Sequence, residues 1–215
     1  MARPVARWRR REVLALGFGA VVLGASAAPG SAADPQPEQV VRGLVEEIWT
    51  TLRTNGVDEQ RRVDRMTALF EARTDVGLIS RLALGRHWNR LPKAQQAEYQ
   101  ELFRDVVIRS LARRLDAYAA DAQGTIDERF QILSSVPAGQ RDTLVRSKVF
   151  PASGPPLALD WRVRHGDSAP LIIDLIIEGA SLLVSQRSEF AAVIERQDVD
   201  GLLAELRARA ASSRS

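Results

Sequence analysis

Residues 171–190 read LIIDLIIEGASLLVSQRSEF, the segment of this chain with the clearest structural meaning. Its first seven residues are apolar except for Asp174, which predicts a strand buried on most of both faces. The run breaks at Glu178 and Gly179, and apolar residues then recur at helical spacing as far as Leu206. A strand that leads directly into covering helices predicts a core of two layers.

Three segments before this one also have strand character, and short turns separate them. With the segment above, the predicted strands cover residues 129–136, 142–150, 157–165 and 171–177. Proline and glycine in the connections are typical of turns. Connections this short join antiparallel neighbours, because a parallel crossover needs about a dozen residues or more. The sequence therefore predicts a four-stranded antiparallel meander.

Helical periodicity dominates the chain before the sheet. It predicts helices over residues 38–54, from 58 onward, over 75–85 and over 92–120. Asp58 and Asp75 are suited to cap two of these helices, and Pro92 is suited to open the longest. With two more helices after the last strand, about six helices cover the sheet. This is an α+β arrangement.

The first 33 residues have the composition of a secretory signal peptide. Five arginines between Arg3 and Arg11 precede an uncharged run over residues 13–28. That run has sixteen residues, fewer than the roughly 20 that a bilayer-spanning helix needs. Small residues follow, so we expect cleavage near residues 27–33 and export to the periplasm.

Export by the general secretory route and by the twin-arginine route both stay open, since Arg10 and Arg11 match the twin-arginine pattern. The exported part, residues 34–215, is expected to be one domain with 25 basic and 26 acidic residues. This balance argues against a nucleic-acid partner. The chain has no cysteine, which excludes disulfides and a lipid-modified cysteine.

Candidate catalytic groups are few in this sequence. It has two histidines, His87 and His165, and no motif of a metalloprotease, a serine hydrolase or a phosphate-binding loop. A zinc site would have to consist mainly of carboxylates, which is unusual. We therefore predict a protein that is not an enzyme, with no catalytic residue, no metal and no cofactor.

Three charged residues near the end of the sheet are predicted to be structural. Asp174 interrupts an isoleucine-rich strand, so a nearby arginine or backbone donors should hold its carboxylate. Glu178 and Arg187 are expected to tie the strand end to the following helix, and Ser181 is placed to cap that helix. A hydrolase that uses Asp174 or His87 is an alternative if those groups meet in one cleft.

Two blocks of sequence carry a family resemblance. The C-terminal block consists of Asp174, Glu178, Gly179, Ser181, Leu182, Arg187, Ser188 and Phe190. The earlier block consists of Arg81, Leu84, Gly85, Arg86 and Trp88, followed by a long helix. In order and spacing these blocks resemble the MlaC proteins, also called the toluene-tolerance family. The likeness spans essentially all of residues 34–215. It implies that these residues form one MlaC-like lipid-binding domain.

The resemblance implies a soluble periplasmic phospholipid carrier. In that family, a twisted sheet and surrounding helices enclose a deep pocket for acyl chains, and the headgroup stays at the mouth. The implied partners are an inner-membrane ABC transporter complex with an MCE-domain subunit and an outer-membrane lipoprotein-porin complex. Phospholipid would be cargo rather than a cofactor, and we expect a monomer.

A lipid pocket between the sheet and the helices is the site that this resemblance implies. The residues expected to line it are apolar and come from both layers: Leu84, Trp88, Phe103, Val107, Leu111, Val145, Val149, Leu159, Trp161, Ile173, Leu175 and Leu182. Two alternatives stay open. One is the branch of the family that is linked to hopanoid lipids, and the other is a periplasmic adaptor or chaperone-like module with a solid core.

Overall fold

The structure, a computed structural model, describes residues 36–119, 122–166 and 169–212. The predicted signal peptide, residues 1–33, lies outside the described residues. Within those ranges, no helix is both long enough and apolar enough to cross a bilayer.

Six helices precede the sheet in the described residues, and the first five of them form most of one layer. These five are α1 (Pro37–Leu52), α2 (Glu59–Arg73), α3 (Val76–Leu84), α4 (Lys93–Phe103) and α5 (Arg109–Asp116). Both predicted caps are confirmed, since the carboxylate of Asp58 accepts from the backbone N–H of Arg61 at 2.9 Å and that of Asp75 accepts from Leu78 at 2.8 Å. A 3₁₀ segment, Gly85–Arg90, joins α3 to α4, and the short α6 (Ile126–Arg129) leads into the sheet.

The helix predicted over residues 92–120 differs from the expectation in its middle and at its end. A π-helical turn, Arg104–Ile108, separates α4 from α5, and α5 ends at Asp116. A π turn adds one residue to a helical turn and widens it locally. Apolar periodicity did not reveal this insertion, because the stripe on either side continues with nearly unchanged spacing.

Over the described ranges the sheet has five antiparallel strands, so the predicted count of four is wrong. In spatial order they are β1 (Phe130–Pro137), β2 (Asp142–Val149), β3 (Leu157–Arg164), β4 (Leu171–Ile177) and β5 (Ala180–Ser181). The missed strand has two residues. Glu178 and Gly179 have φ values of 50° and 81°, as in a tight two-residue hairpin, and they turn the chain so that Ala180 pairs with Ile177. The α+β class and the meander order are confirmed.

One face of the sheet packs against the helices and the other is open. On β3, the buried side chains of Trp161 and Val163 alternate with the partly exposed Arg162 and Arg164, as the alternation in the sequence predicts. Helix α1 packs over β1 and β2, whereas α3 packs against β4. The core therefore lies between one sheet face and the helical layer.

The last helix, α7 (Leu182–Ser212), consists of two segments separated by a kink. Asp198 has φ 58° and ψ −169°, which breaks the helical path, and its carboxylate caps the second segment by accepting from the N–H of Gly201 at 3.1 Å. The two helices predicted after the sheet are thus present, joined by a kink rather than a loop. The first segment packs against β4 and α3.

Candidate functional site

A cavity of about 330 Å³ lies between the last strands and the helical layer. This volume is near the lower end of the range for small-molecule pockets, about 300–1,000 Å³. Strands β3 and β4 contribute Trp161, Ile172, Ile173 and Leu175 to its lining, and α7 contributes Leu182, Leu183 and Phe190. Its interior is therefore built from large apolar side chains of both layers.

The π-helical turn between α4 and α5 forms one wall of the cavity. Val106, Val107 and Ile108 all line it, together with Phe103 before the turn and Leu111 after it. Turns of this type are frequent at functional sites. The irregularity of the long helix thus coincides with the cavity.

An aromatic cluster supports the same wall from behind. Tyr99 lies at its centre, with ring centroids 6.2 Å from Trp88, 6.0 Å from Phe103 and 6.1 Å from Phe190. Its hydroxyl donates to the backbone oxygen of Ser80 at 2.9 Å, and burial raises the pKa of Tyr99. The cluster holds Phe103 and Phe190 in place at the cavity surface.

The twelve residues predicted to line the pocket fall into two groups, those that line the cavity and those that do not. Seven of them line it: Phe103, Val107, Leu111, Trp161, Ile173, Leu175 and Leu182. The other five do not: Leu84, Trp88, Val145, Val149 and Leu159. The contact of any of these residues with lipid remains a prediction.

The five residues that do not line the cavity lie in parts of the fold that pack into the core. Trp88 packs on Tyr99, behind the wall to which Phe103 belongs. Val145 is completely buried on β2, the strand that α1 covers. Leu84 is buried at the end of α3. Strand β2 therefore contributes core side chains, whereas β4 contributes cavity side chains.

Several further apolar residues line the cavity that were not predicted to line it. These are Leu44, Phe70, Ile79, Val106, Ile108, Ile172, Leu183 and Phe190. A signal existed for two of them, since Leu183 and Phe190 are seven residues apart and so occupy one stripe of α7. Periodicity marks that stripe as buried but does not show whether it meets a cavity.

Polar residues at the cavity lie mainly at its exposed rim. Five polar lining residues are exposed: Ser110, Arg114, Ser185, Glu189 and Arg209. Arg209 forms an ion pair with Glu205, and Glu189 accepts from the side-chain amide of Gln186 at 3.2 Å. Across the described residues, Arg114 has neither an ion-pair partner nor a hydrogen-bond partner for its side chain. The rim therefore carries a guanidinium group that is available to an anion.

The charged residues predicted to be structural each have a defined partner. Asp174 accepts from the hydroxyl of Ser181 at 2.5 Å and from the N–H of Leu183 at 3.0 Å, so donors of the helix start hold it rather than an arginine. Glu178 accepts from the backbone N–H of Ala158 on β3 at 2.5 Å. Its expected contact was with the following helix.

Arg187 joins α7 to a neighbouring helix rather than to the strand end. Its Nε donates to the backbone oxygen of Leu82 on α3 at 2.8 Å. Ser181 caps α7, as predicted, because its hydroxyl oxygen accepts from the N–H of Val184 at 3.0 Å.

No catalytic constellation forms among the residues that the structure describes. Asp174 lines the cavity, whereas His87 belongs to the 3₁₀ segment and is not part of the lining. Burial lowers the pKa of His87, and the charges of Arg86 and Arg90 lower it further. Nor do His, Asp and Glu side chains gather into a metal-binding group in that part of the chain. The two groups of the hydrolase hypothesis thus do not share a cleft.

Comparison with known proteins gives the family. A sequence profile of the MlaC protein matches residues 38–208. The chain belongs to the MlaC family. This MlaC-family chain is similar to a solved structure from Ralstonia solanacearum, described as a phospholipid-binding protein in complex with a phospholipid. The two chains are 26% identical with a TM-score of 0.67, and the match covers 82% of this chain and 97% of that one. The resemblance read from the two sequence blocks is confirmed.

Proposed function

We propose that this protein binds phospholipid and carries it through the periplasm between the outer and inner membranes. One observation carries the proposal: large apolar side chains form most of the cavity lining, and its exposed lining residues are polar. Such an arrangement suits a molecule with fatty chains and a charged headgroup. The chains would enter between β4, α7 and the π-helical wall, and the headgroup would stay at the rim near Arg114.

The energetics of lipid transfer fit a carrier without a catalytic group. A phospholipid with about thirty methylenes gains more than about 20 kcal/mol when its chains leave water, at roughly 0.8 kcal/mol each. A bilayer offers nearly the same gain. The carrier therefore has to compete only with the bilayer, and exchange proceeds without ATP hydrolysis or a cofactor on the carrier.

Family membership and the phospholipid-binding neighbour support lipid as the ligand class. Within the proposal, the partners are an inner-membrane ABC transporter complex with an MCE-domain subunit and an outer-membrane lipoprotein-porin complex. The protein acts as a monomer, and a hopanoid-linked ligand is the alternative cargo. An adaptor with a solid core is disfavoured, because it does not predict the cavity between the sheet and α7.

Native mass spectrometry of protein purified without detergent tests the proposal. We expect an added mass equal to a two-chain phospholipid, and lipid extraction should identify its headgroup. An added mass equal to a hopanoid would replace the cargo but keep the carrier. Protein that emerges free of lipid and takes none from phospholipid vesicles would contradict the proposed function.

A further inference from the structure

A second surface feature lies outside the cavity, on the 3₁₀ segment and the elements that flank it. We call it the basic patch, and it consists of five exposed cations: Arg81, Arg86, Arg90, Lys93 and Arg187. The first four come from α3, the 3₁₀ segment and the start of α4. Arg187 reaches the same place from α7, since its Nε bonds the backbone oxygen of Leu82.

The basic patch has no acidic counterpart. The sequence contains no aspartate or glutamate over residues 76–97. In the described ranges of the chain, none of the five cations takes part in an ion pair. Their hydrogen bonds go to neutral groups, such as that from Arg81 to the backbone oxygen of Gly77 at 3.1 Å and that from Lys93 to the side chain of Gln96 at 3.4 Å.

Ion pairs are common elsewhere in the molecule. Ten other arginines among the described residues form them, for example Arg62 with Asp116 and Arg207 with Glu98. Other arginines without an ion pair also occur, but the patch combines such cations with a stretch of sequence that has no carboxylate. The charge of the patch affects His87, which lies within it. Burial lowers the pKa of His87 most, and the charges of Arg86 and Arg90 lower it further.

The basic patch shares its supporting helices with the cavity. Helix α3 places Arg81 on the patch and Ile79 at the cavity, and α7 places Arg187 on the patch and Leu183 at the cavity. A surface bound at the patch would therefore lie next to the part of the cavity wall that α3 and α7 form.

We propose that the basic patch seats this protein on the surface of an anionic lipid bilayer. Clusters of four to eight Lys and Arg side chains on a surface are typical of binding to anionic lipid headgroups, and each contributes about a fivefold preference. A protein interface of comparable strength relies instead on aromatic or apolar anchors in a buried centre. Trp88 packs inward on Tyr99, and on α3, α4 and α7 only Val184 is an exposed large apolar side chain among the described residues, so the patch has no aromatic anchor.

Attachment to a bilayer is a property separate from lipid binding in the cavity, and either can occur without the other. A carrier can exchange lipid through protein partners without touching a membrane. Equally, a protein without cargo can attach to a charged surface. The test therefore measures attachment rather than lipid content.

The experiment is sedimentation of the purified protein with vesicles, either of phosphatidylcholine alone or of phosphatidylcholine mixed with phosphatidylglycerol. The patch variant is Arg86→Gln with Arg90→Gln. The matched control is Arg65→Gln with Arg146→Gln, which removes two exposed arginines that form no ion pair among the described residues. All proteins are purified in the exported form, without the predicted signal peptide, so that the arginines over residues 3–11 do not contribute to binding.

We expect binding to the mixed vesicles at low salt, little binding to neutral vesicles, and loss of binding at high salt. The patch variant should bind the mixed vesicles about thirtyfold more weakly than the parent, since two cations are lost. The control should change much less. Equal binding to both vesicle types, equal losses in the two variants, or no vesicle binding by the parent would each overturn the proposal. Thermal unfolding of every variant shows that the fold is retained.

Discussion

The carboxylate of Asp174 accepts a hydrogen bond from the backbone N–H of Leu183 at 3.0 Å and so joins β4 to the first turn of α7. Its second oxygen accepts from the hydroxyl of Ser181, the residue that caps the same helix. Because Asp174 and Leu183 both line the cavity, this connection sets the position of the α7 wall relative to the sheet. The side chain that interrupts an otherwise apolar strand thus has a structural role.

Replacement of Asp174 tests that role. Asp174→Ala should lower the free energy of unfolding by about 2 kcal/mol, because two donors at the start of α7 lose their acceptor. Asp174→Asn should lose less, since an amide oxygen can still accept from Leu183. Urea unfolding measures both values. If the alanine variant were as stable as the parent, the connection between β4 and α7 would not be stabilising.

A bulky residue in the cavity should exclude lipid. Leu111→Trp adds volume at the π-helical wall, and each methylene it displaces costs about fourfold in lipid affinity, so we expect uptake from labelled vesicles to fall about tenfold or more. The matched control is Leu102→Trp, on the same long helix but outside the cavity lining. Uptake that fell equally in both variants would show that the cavity is not the lipid site.

The rim guanidinium of Arg114 should contribute to headgroup binding. Arg114→Glu replaces an unpaired cation with an anion, and we expect phospholipid uptake to fall about tenfold, the effect of one charge-assisted hydrogen bond. Arg114→Lys should retain most of the uptake. Arg65→Glu, at an exposed position on α2, is the control. Unchanged uptake in the glutamate variant would place the headgroup elsewhere.

Acid stability should depend on Asp142 at the open face of the sheet. This carboxylate is 5% exposed and accepts from Nε of Arg162 and of Arg164, both at 2.7 Å. The hydrogen bond from Arg164, with a further one from Arg162, lowers the pKa of Asp142 from its ordinary value of 3.8. Its contribution to stability is therefore present above pH 3.8 and is lost as the pH falls through the lower folded-state value.

Asp142→Asn should lower the free energy of unfolding near neutral pH by about 2 kcal/mol, because two arginines lose their anionic partner. The gap between parent and variant should close as the pH falls below that folded-state value. Urea unfolding at a series of pH values gives both results. A gap that stayed constant down to the most acidic pH would exclude ionisation of Asp142 as its origin.

The pKa of His87 should report the charge of the basic patch. Burial lowers this pKa most, followed by the charges of Arg86 and Arg90. Arg86→Gln should therefore raise it, whereas Arg65→Gln should leave it unchanged. Since the folded protein favours neutral His87, this residue destabilises the fold as the pH falls through the unfolded-state value of 6.5. An NMR titration of the imidazole measures the shift, and an unchanged pKa in Arg86→Gln would contradict the charge effect.

Local chemistry accounts for the features that could be predicted. The caps at Asp58, Asp75 and Ser181 form because a short oxygen-bearing side chain at a helix start meets free backbone N–H groups. The alternation of Trp161 and Val163 with two arginines on β3 marks the two faces of the sheet. The hairpin that adds β5 was missed because a two-residue strand carries no periodicity.

By itself, the sequence determined the α+β class, the order of helices and strands, and the likeness to the MlaC family. These follow from spacing, turn residues and motifs within short segments of chain. The tertiary structure alone decided that Val145 fills the core while Ile173 faces a cavity, and that Arg187 of α7 reaches the end of α3 beside the 3₁₀ segment. The physical reason is that periodicity marks a face as buried, whereas the distance between two buried faces depends on residues far apart in the chain.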